Sequence, residues 1–224
     1  QMKERPILFK GEMVRAILAG TKTQTRRIIK DATGSFWDHK AWRPEVVNGA
    51  ITHWVSMDTM NDGHLFGAGS PQRKCPQGRP GDRLWVKETC IISHPNWADR
   101  DLDLYNVKDY DGNGRICQYI ATSPDTSTPV KDYKLKVSPS MFMPRWASRI
   151  SLEVVSVRVE RLNEISEADA VAEGIPAFPS SPSNIPAMQY QSLWESINGP
   201  GSWEKNPWVW VVEFRLLPTN TTEG

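Results

Sequence analysis

The densest group of chemically useful side chains lies near the start of the chain, in residues 20–27 (Gly-Thr-Lys-Thr-Gln-Thr-Arg-Arg). It contains three hydroxyl groups and three cationic groups, those of Thr21, Thr23, Thr25, Lys22, Arg26 and Arg27. A turn that follows a helix leaves backbone N–H groups without partners, and cations beside it attract negative charge. The segment therefore predicts a site, beginning at Gly20, for an anion or a polarised carbonyl. A solvated basic turn is the alternative that these residues leave open.

The charge distribution points to the same segment. Residues 1–30 hold eight basic and two acidic side chains, a net charge of +6. The whole chain carries only +1, so the other 194 residues sum to −5. A local cationic region on a nearly neutral protein favours a phosphate-bearing ligand over the bulk coating of DNA.

The elements around this segment are short. Residues 5–9 form an apolar run that predicts a strand. Residues 12–19 show helical spacing, and Gly20 lies where a helix often ends. The chain is then expected to turn through residues 22–30, where Ile28 and Ile29 could open another strand.

Further elements follow from alternation, helical spacing and capping signals. Ser166 and Asp169 form a weak capping box for a short helix that Gly174 and Pro176 end. Strands are predicted over residues 83–89, 149–161 and 208–214, and a second helix over residues 188–197. Short strands with a few short helices predict an α+β fold built on a small mixed β-barrel.

Two long stretches, residues 31–80 and 93–140, read as insertions on one domain that spans residues 3–217. They are too long to be plain loops, and residues 111–114 (Asp-Gly-Asn-Gly) favour a hairpin turn. Residues 218–224 are expected to be a disordered tail.

Several classes of protein are disfavoured. No run approaches the roughly 20 apolar residues of a membrane span, and the first residues lack the apolar core of a signal peptide. Cys75, Cys90 and Cys117 are too widely spaced for a structural zinc site. Without a G-x-G-x-x-G motif, no nucleotide cofactor is predicted either. The composition thus favours a cytoplasmic protein with reduced thiols, no metal and no cofactor.

At residues 20–27 the pattern Gly-x-Lys-x-x-Thr-x-Arg resembles the signature of the ASCH family. Residues 81–88 (Gly-Asp-Arg-Leu-Trp-Val-Lys-Glu) are similar to a strand of that family. Residues 143–149 and 206–211 resemble a long subgroup that phages and prophages often encode. The resemblance implies a PUA-like β-barrel with short flanking helices, and a partner that is RNA, single-stranded nucleic acid or a modified nucleoside.

One branch of the family consists of N4-acetylcytidine amidohydrolases, and its motif falls on Lys22, Thr25 and Glu173 here. The resemblance implies that Thr25 attacks the acetyl carbonyl after Lys22 takes its proton. Glu173 would protonate the leaving nitrogen or orient Lys22, and N–H groups near Gly20 would form an oxyanion hole. The scheme requires Lys22 and Thr25 to converge, whereas a straight strand would place them on opposite sides.

Other residues are expected to bind the substrate around this catalytic group. Alternation places Trp85 and Lys87 on one face of their strand, and Arg145 with Trp146 forms a second candidate for stacking and phosphate contact. Arg27 fits either a phosphate contact or a structural role beneath the turn. Two other functions remain open, a non-catalytic module that binds RNA, single-stranded DNA or a modified base, and a metal-independent ribonuclease.

Overall fold

The computed structural model describes residues 1–29, 42–47, 50–56, 73–93, 108–110, 116–122, 137–176 and 186–218. The strands are β1 Glu4–Leu8, β2 Gln24–Ile28, β3 Trp42–Val47, β4 Ala50–Ser56, β5 Arg73–Lys74, β6 Arg83–Lys87, β7 Cys90–Ser93, β8 Lys108–Tyr110, β9 Ile116–Tyr119, β10 Val137–Ser138, β11 Ser151–Arg161 and β12 Trp208–Leu216. The helices are α1 Gly11–Leu18, α2 Glu167–Ala172 and α3 Pro186–Asn198.

The chain divides into two compact units, each assembled from segments that are distant in sequence. The first unit comprises Gln1–Lys3, Thr21–Arg83 and Glu153–Arg215. The second comprises Glu4–Gly20, Leu84–Leu152 and Leu216–Gly224. The prediction of one domain over residues 3–217 stays a prediction.

In the first unit β12 lies between β11 and β2. Residues Trp208 to Val212 of β12 are all buried, so both faces of the strand are covered, as is typical of a central strand. Val209 and Val211 pack with Tyr190 and Trp194, which are four residues apart on α3 and so share one face of that helix. Strands β3, β4 and β5 form a separate antiparallel sheet in this unit.

In the second unit β1 lies beside β6, and β10, β7, β9 and β8 form a sheet in that order. The core of that sheet contains the buried side chains of Cys90, Cys117, Tyr119, Met143 and Ala147. Helix α1 buries Val14 and Ile17, and ends where Gly20 takes a φ of 75°, a backbone conformation that favours glycine.

Mixed helices and strands confirm the α+β class, whereas a closed barrel remains a prediction. The structure confirms the three predicted helices as α1, α2 and α3. It also confirms the strands predicted over residues 83–89, 149–161 and 208–214, as β6, β11 and β12. The turn expected after Lys22 is wrong over residues 24–28, because Gln24–Ile28 pairs with β12 as a strand. Its residues are polar on both faces, so it lacks the apolar alternation by which a strand is recognised.

The segments read as insertions contain β3 to β5 and β8 to β10. Strands β8 and β9 pair antiparallel, as the hairpin prediction requires, although its turn at residues 111–114 lies outside the described residues. The tail predicted over residues 218–224 is described only at Pro218. Among the described residues, no helix has both the length and the apolar character needed to cross a membrane.

Candidate functional site

The site is built where β2 passes the C-terminal end of α2 in the first unit. Strand β2 pairs antiparallel with β12, with Arg26 opposite Val211 and Thr25 opposite Val212. Directly opposed residues of an antiparallel pair share a face of the sheet. Arg26 therefore lies on the same face as Val211, which packs against α3, whereas Thr25 lies with Val212 on the other face.

Helix α2 is fixed at both ends. The Ser166 hydroxyl accepts from the Asp169 N–H at 3.1 Å, and the Asp169 carboxylate accepts from the Ser166 N–H at 3.4 Å, which completes the predicted capping box. At the other end Gly174 has a φ of 94° and Ile175 N–H donates to the Ala170 carbonyl at 3.2 Å, a Schellman arrangement. These two ends determine where Glu173, the last residue before the turn, directs its carboxylate.

The chain just before β2 is attached to that helix end. Lys22 and Glu173 form an isolated antiparallel bridge, and Thr23 N–H donates to the Ala172 carbonyl at 2.8 Å. Backbone pairing therefore brings Lys22 beside Glu173 although they are 151 residues apart in sequence.

Lys22 is buried with all three ammonium donors engaged. Its Nζ donates to Glu173 Oε2 at 2.8 Å, to the Glu173 carbonyl at 2.7 Å and to the Gln24 carbonyl at 2.9 Å. Burial lowers the pKa of Lys22 below its ordinary value; Glu173 opposes this only in part, and the nearby Arg27 and Arg26 lower it further. The ammonium consequently gives up its proton more readily than an exposed lysine does.

Arg26 holds the other oxygen of the same carboxylate. Its side chain is 0% exposed, and Nη1 lies 3.2 Å from Glu173 Oε1 while Nη2 lies 3.0 Å from Glu160 and 3.3 Å from Asp169. Two cations thus bind one carboxylate, Lys22 at Oε2 and Arg26 at Oε1. Each contact is charge-assisted and in a buried setting, so Glu173 has little freedom to rotate.

A wider polar network surrounds Arg26. Gln24 donates to the Asp169 carboxylate at 3.0 Å and to its backbone carbonyl at 2.9 Å. Arg158 contacts Asp169 at 2.9 Å and also pairs with Glu160 and Glu213. Burial alone would raise the pKa of Asp169, but its hydrogen bonds to Ser166 and Gln24 and the charge of Arg26 outweigh this and lower it.

Tyr190 closes the core side of the cluster. Its ring centroid lies 6.0 Å from the guanidinium carbon of Arg26. Burial raises the pKa of the Tyr190 hydroxyl well above its ordinary value, and Glu173 adds to that effect. Burial also lowers the pKa of Arg27, with Glu173 and Tyr190 opposing.

The structure therefore brings together Lys22, Arg26 and Glu173. Thr25 is buried, but strand alternation places it on the face opposite Arg26, and its role as nucleophile stays a prediction. Thr21 and Thr23 are exposed. The N–H of Gly20 donates to the Ile17 carbonyl at 3.0 Å and that of Thr23 to Ala172, so these two donors of the expected oxyanion hole are already engaged.

The remaining predicted binding residues belong to the second unit. Lys87 and Arg145 lie over the ring of Trp85, at 5.4 and 5.8 Å from its centroid. Trp146 is partly buried and packs against the cluster that contains Cys90 and Met143.

Sequence reasoning missed most of the network around Arg26. The sequence predicts only a capping role for Asp169. It predicts no functional role for four other members of the network, Gln24, Arg158, Glu160 and Glu213. One signal was present, because Arg158 and Glu160 are two apart on a predicted strand and so share a face.

No group of three or more histidine, cysteine, aspartate or glutamate side chains suited to a metal ion occurs in the ranges that the structure describes. Searches with the sequence and with the structure found no matching family model, no matching curated protein and no matching solved structure.

Proposed function

We propose that this chain hydrolyses an acyl amide on a modified nucleobase, of which N4-acetylcytidine is the type, and that Lys22 and Glu173 transfer the protons. The observation that carries the proposal is the 2.8 Å contact between Lys22 Nζ and Glu173 Oε2 in a buried setting that lowers the pKa of Lys22. Strongly perturbed ionisable groups beside a specific charged partner are typical of catalytic sites. The ASCH-like pattern of residues 20–27 supports the choice of substrate class.

The chemistry follows from the two groups. When Lys22 loses its proton, Nζ keeps two donors, so one of its three contacts is released and a lone pair becomes available. That lone pair accepts a proton from the nucleophile as the nucleophile's oxygen bonds to the acyl carbon. As the C–N bond breaks, the proton returns to the exocyclic nitrogen, from Lys22 or through Glu173, and the products are the free base and a carboxylic acid, which releases its own proton to solvent.

The nucleophile is either water or Thr25. Direct attack by water needs no covalent intermediate, whereas attack by Thr25 gives an acyl-enzyme that water then cleaves. The position of Thr25 on the face of β2 opposite Arg26 favours water. Replacing Thr25 with Val, which removes the hydroxyl and keeps the shape, distinguishes the two routes.

The charges of the cluster favour proton transfer over phosphate binding. Lys22 and Arg26 are buried and paired with Glu173, and Arg26 is also paired with Glu160 and Asp169. A phosphate would have to displace these carboxylates. This disfavours the ribonuclease alternative, in which the same cations stabilise a phosphoryl group.

The test is to incubate the protein with N4-acetylcytidine and to measure the release of cytidine by chromatography. Lys22→Met and Glu173→Gln are each expected to lower kcat/KM by at least about 100-fold, the usual contribution of a positioned acid or base. Because the pKa of Lys22 is lowered, the rate should rise with pH and level off below pH 10.5, the ordinary value for lysine.

Glu88→Gln is the matched control. Glu88 is a buried carboxylate paired with Arg149 at 2.9 Å in the second unit, so the variant breaks a similar ion pair and should retain activity if folded. Absence of turnover by the wild type across a panel of acylated nucleosides would overturn the proposal. Equal losses in Glu173→Gln and Glu88→Gln would mean that stability, not proton transfer, explains the effect.

A further inference from the structure

The side chain of Tyr190 approaches the ion pairs of the candidate site from helix α3. Arg26 lies opposite Val211 in the register of β2 and β12, and Val211 belongs to the buried cluster that contains Tyr190. The Tyr190 ring centroid lies 6.0 Å from the guanidinium carbon of Arg26. A phenol therefore lies on the same face of the sheet as Arg26, which binds the Glu173 carboxylate at 3.2 Å.

The hydroxyl of this phenol is without a hydrogen-bond partner among the residues that the structure describes, although Tyr190 is only 4% exposed. Burial and Glu173 raise its pKa and Arg26 and Arg27 lower it, and no hydrogen bond contributes to the pKa. Leaving a polar group unpaired and away from water costs free energy, so native proteins keep few such groups. A catalytic role is one of the recognised reasons for keeping one.

Tyr190 stays protonated over the pH range in which amide hydrolysis would be measured. Burial is the largest influence and raises the pKa well above its ordinary value of 10.0, and the negative charge of Glu173 acts in the same direction. Below its pKa a phenol is neutral and its O–H is a donor. The candidate site therefore has an uncharged donor beside two cations, Lys22 and Arg26, that are already paired with Glu173.

Amide hydrolysis needs such a donor. When the oxygen of the nucleophile bonds to the acyl carbon, an electron pair of the carbonyl double bond moves to the acyl oxygen, which becomes an oxyanion. The N–H groups of Gly20 and Thr23, expected near an oxyanion hole, already donate to the carbonyls of Ile17 and Ala172. A donor other than these two is therefore needed.

We propose that the Tyr190 hydroxyl donates a hydrogen bond to the acyl oxygen as the tetrahedral intermediate forms. The proposal rests on the amide hydrolysis proposed above, because an oxyanion arises only when an acyl carbonyl is attacked. Tyr190 keeps its proton throughout. As the C–N bond breaks, the electron pair returns to the carbonyl double bond and the hydrogen bond weakens, while Lys22 and Glu173 transfer the protons.

The test replaces Tyr190 with Phe, which removes the hydroxyl and keeps the ring. Removal of one oxyanion donor typically lowers kcat by about 100-fold or more, and we expect a loss of this size in cytidine release. The KM for N4-acetylcytidine should change by less than about twofold, because the hydrogen bond strengthens in the transition state rather than in the substrate complex. The pH at which the rate levels off should be unchanged, since that pH reports Lys22.

Tyr119→Phe is the matched control. The Tyr119 hydroxyl is buried in the second unit and donates to the Ala147 carbonyl at 3.0 Å. Losing a paired hydroxyl destabilises a protein, whereas losing an unpaired one is nearly neutral or stabilising. In urea unfolding Tyr119→Phe should lower the midpoint and retain cytidine release. Tyr190→Phe should show the opposite pattern, with a midpoint equal to or above that of the wild type and a large loss of activity.

Binding of a tetrahedral analogue gives a readout that does not depend on turnover. A cytidine whose N4 carries a methylphosphonyl group places a charged oxygen where the oxyanion forms. Tyr190→Phe should therefore raise the Kd of this analogue by about the factor by which it lowers kcat, and leave the Kd of cytidine unchanged.

The outcomes separate this proposal from the one at Lys22. Turnover by Tyr190→Phe within about threefold of the wild type would show that Tyr190 is not an oxyanion donor, while the acid–base pair stands. Loss of activity together with a lower urea midpoint, or unchanged binding of the analogue, would assign the hydroxyl a structural role and overturn the proposal. Absence of turnover by the wild type would remove the reaction on which the proposal rests.

Discussion

Replacing Glu173 with Gln tests the physical account of the buried cluster. The change keeps the size of the side chain and removes one negative charge that two fully buried cations share. Arg26 keeps the carboxylates of Glu160 and Asp169, whereas Lys22 loses the carboxylate paired with it and keeps neutral acceptors such as the backbone carbonyls of Gln24 and residue 173. The cost therefore falls mainly on Lys22.

The loss in free energy of unfolding that Glu173→Gln causes can be bounded in two ways. Removing one partner of a buried ion pair typically costs about 3–5 kcal/mol. Lys22 can instead lose its proton, and deprotonating a group of ordinary pKa 10.5 at pH 7 costs at most about 5 kcal/mol. We expect Glu173→Gln to lower the free energy of unfolding by about 3–5 kcal/mol at pH 7.

The direction in which the stability of the Glu173→Gln variant changes with pH tests this account. Without Glu173 the pKa of Lys22 falls further below the value in the unfolded chain. Between those two values the unfolded chain binds more protons, so the stability of the variant rises with pH. At pH 9.5 deprotonating Lys22 costs at most about 1.4 kcal/mol, so the deficit relative to wild type should shrink to about that value or less.

Urea unfolding followed by tryptophan fluorescence at pH 7 and pH 9.5 measures both values. Glu88→Gln is the control, because it leaves Arg149 without its carboxylate and a guanidinium does not titrate in this range. Its deficit should be the same at both pH values. A Glu173→Gln deficit below about 1 kcal/mol, or one that does not shrink at pH 9.5, would refute the assignment of a strained, buried charge to Lys22.

Two further substitutions test how α2 positions the carboxylate. Gly174→Ala places a side chain at a φ of 94° and should cost about 1–2 kcal/mol by urea unfolding; it should also lower cytidine release, since Glu173 precedes the turn, and unchanged release would contradict this. Ser166→Ala removes the cap and should cost about 1 kcal/mol, and Ser166→Thr, which keeps both the capping oxygen and the hydroxyl that donates to the Asp169 carboxylate at 2.9 Å, should recover most of it. No recovery in Ser166→Thr would contradict the capping role of this hydroxyl.

The sequence was sufficient wherever a local rule decides the structure. The start of α2 is predicted by the capping box of Ser166 and Asp169, and its end by Gly174. The structure has the capping box and the glycine turn at those residues. Helix α3 and strand β12 likewise follow from apolar spacing. These features depend on a few neighbouring residues, so one sequence contains the whole signal.

The site itself could be predicted only in part. The pairing of Lys22 with Glu173 came from a family resemblance, because no local rule joins residues 151 apart. The expected contact of Arg26 with substrate stays a prediction, and its ion pair with Glu173 was not predicted. Strand β2 was missed because buried polar side chains satisfied by distant partners look, in sequence, like a solvated turn.

The separation between Lys22 and Glu173 also has a consequence for synthesis on the ribosome. At about 5–20 residues per second, Glu173 follows Lys22 by about 8–30 s. Until then, and until β12 emerges, β2 has neither its neighbouring strand nor its counter-charge. We expect the charge of Arg26, together with that of Lys22 just before the strand, to keep the unpaired strand hydrated and to discourage it from pairing with other chains. The side chains that hold the Glu173 carboxylate in the folded protein would then first protect the nascent chain.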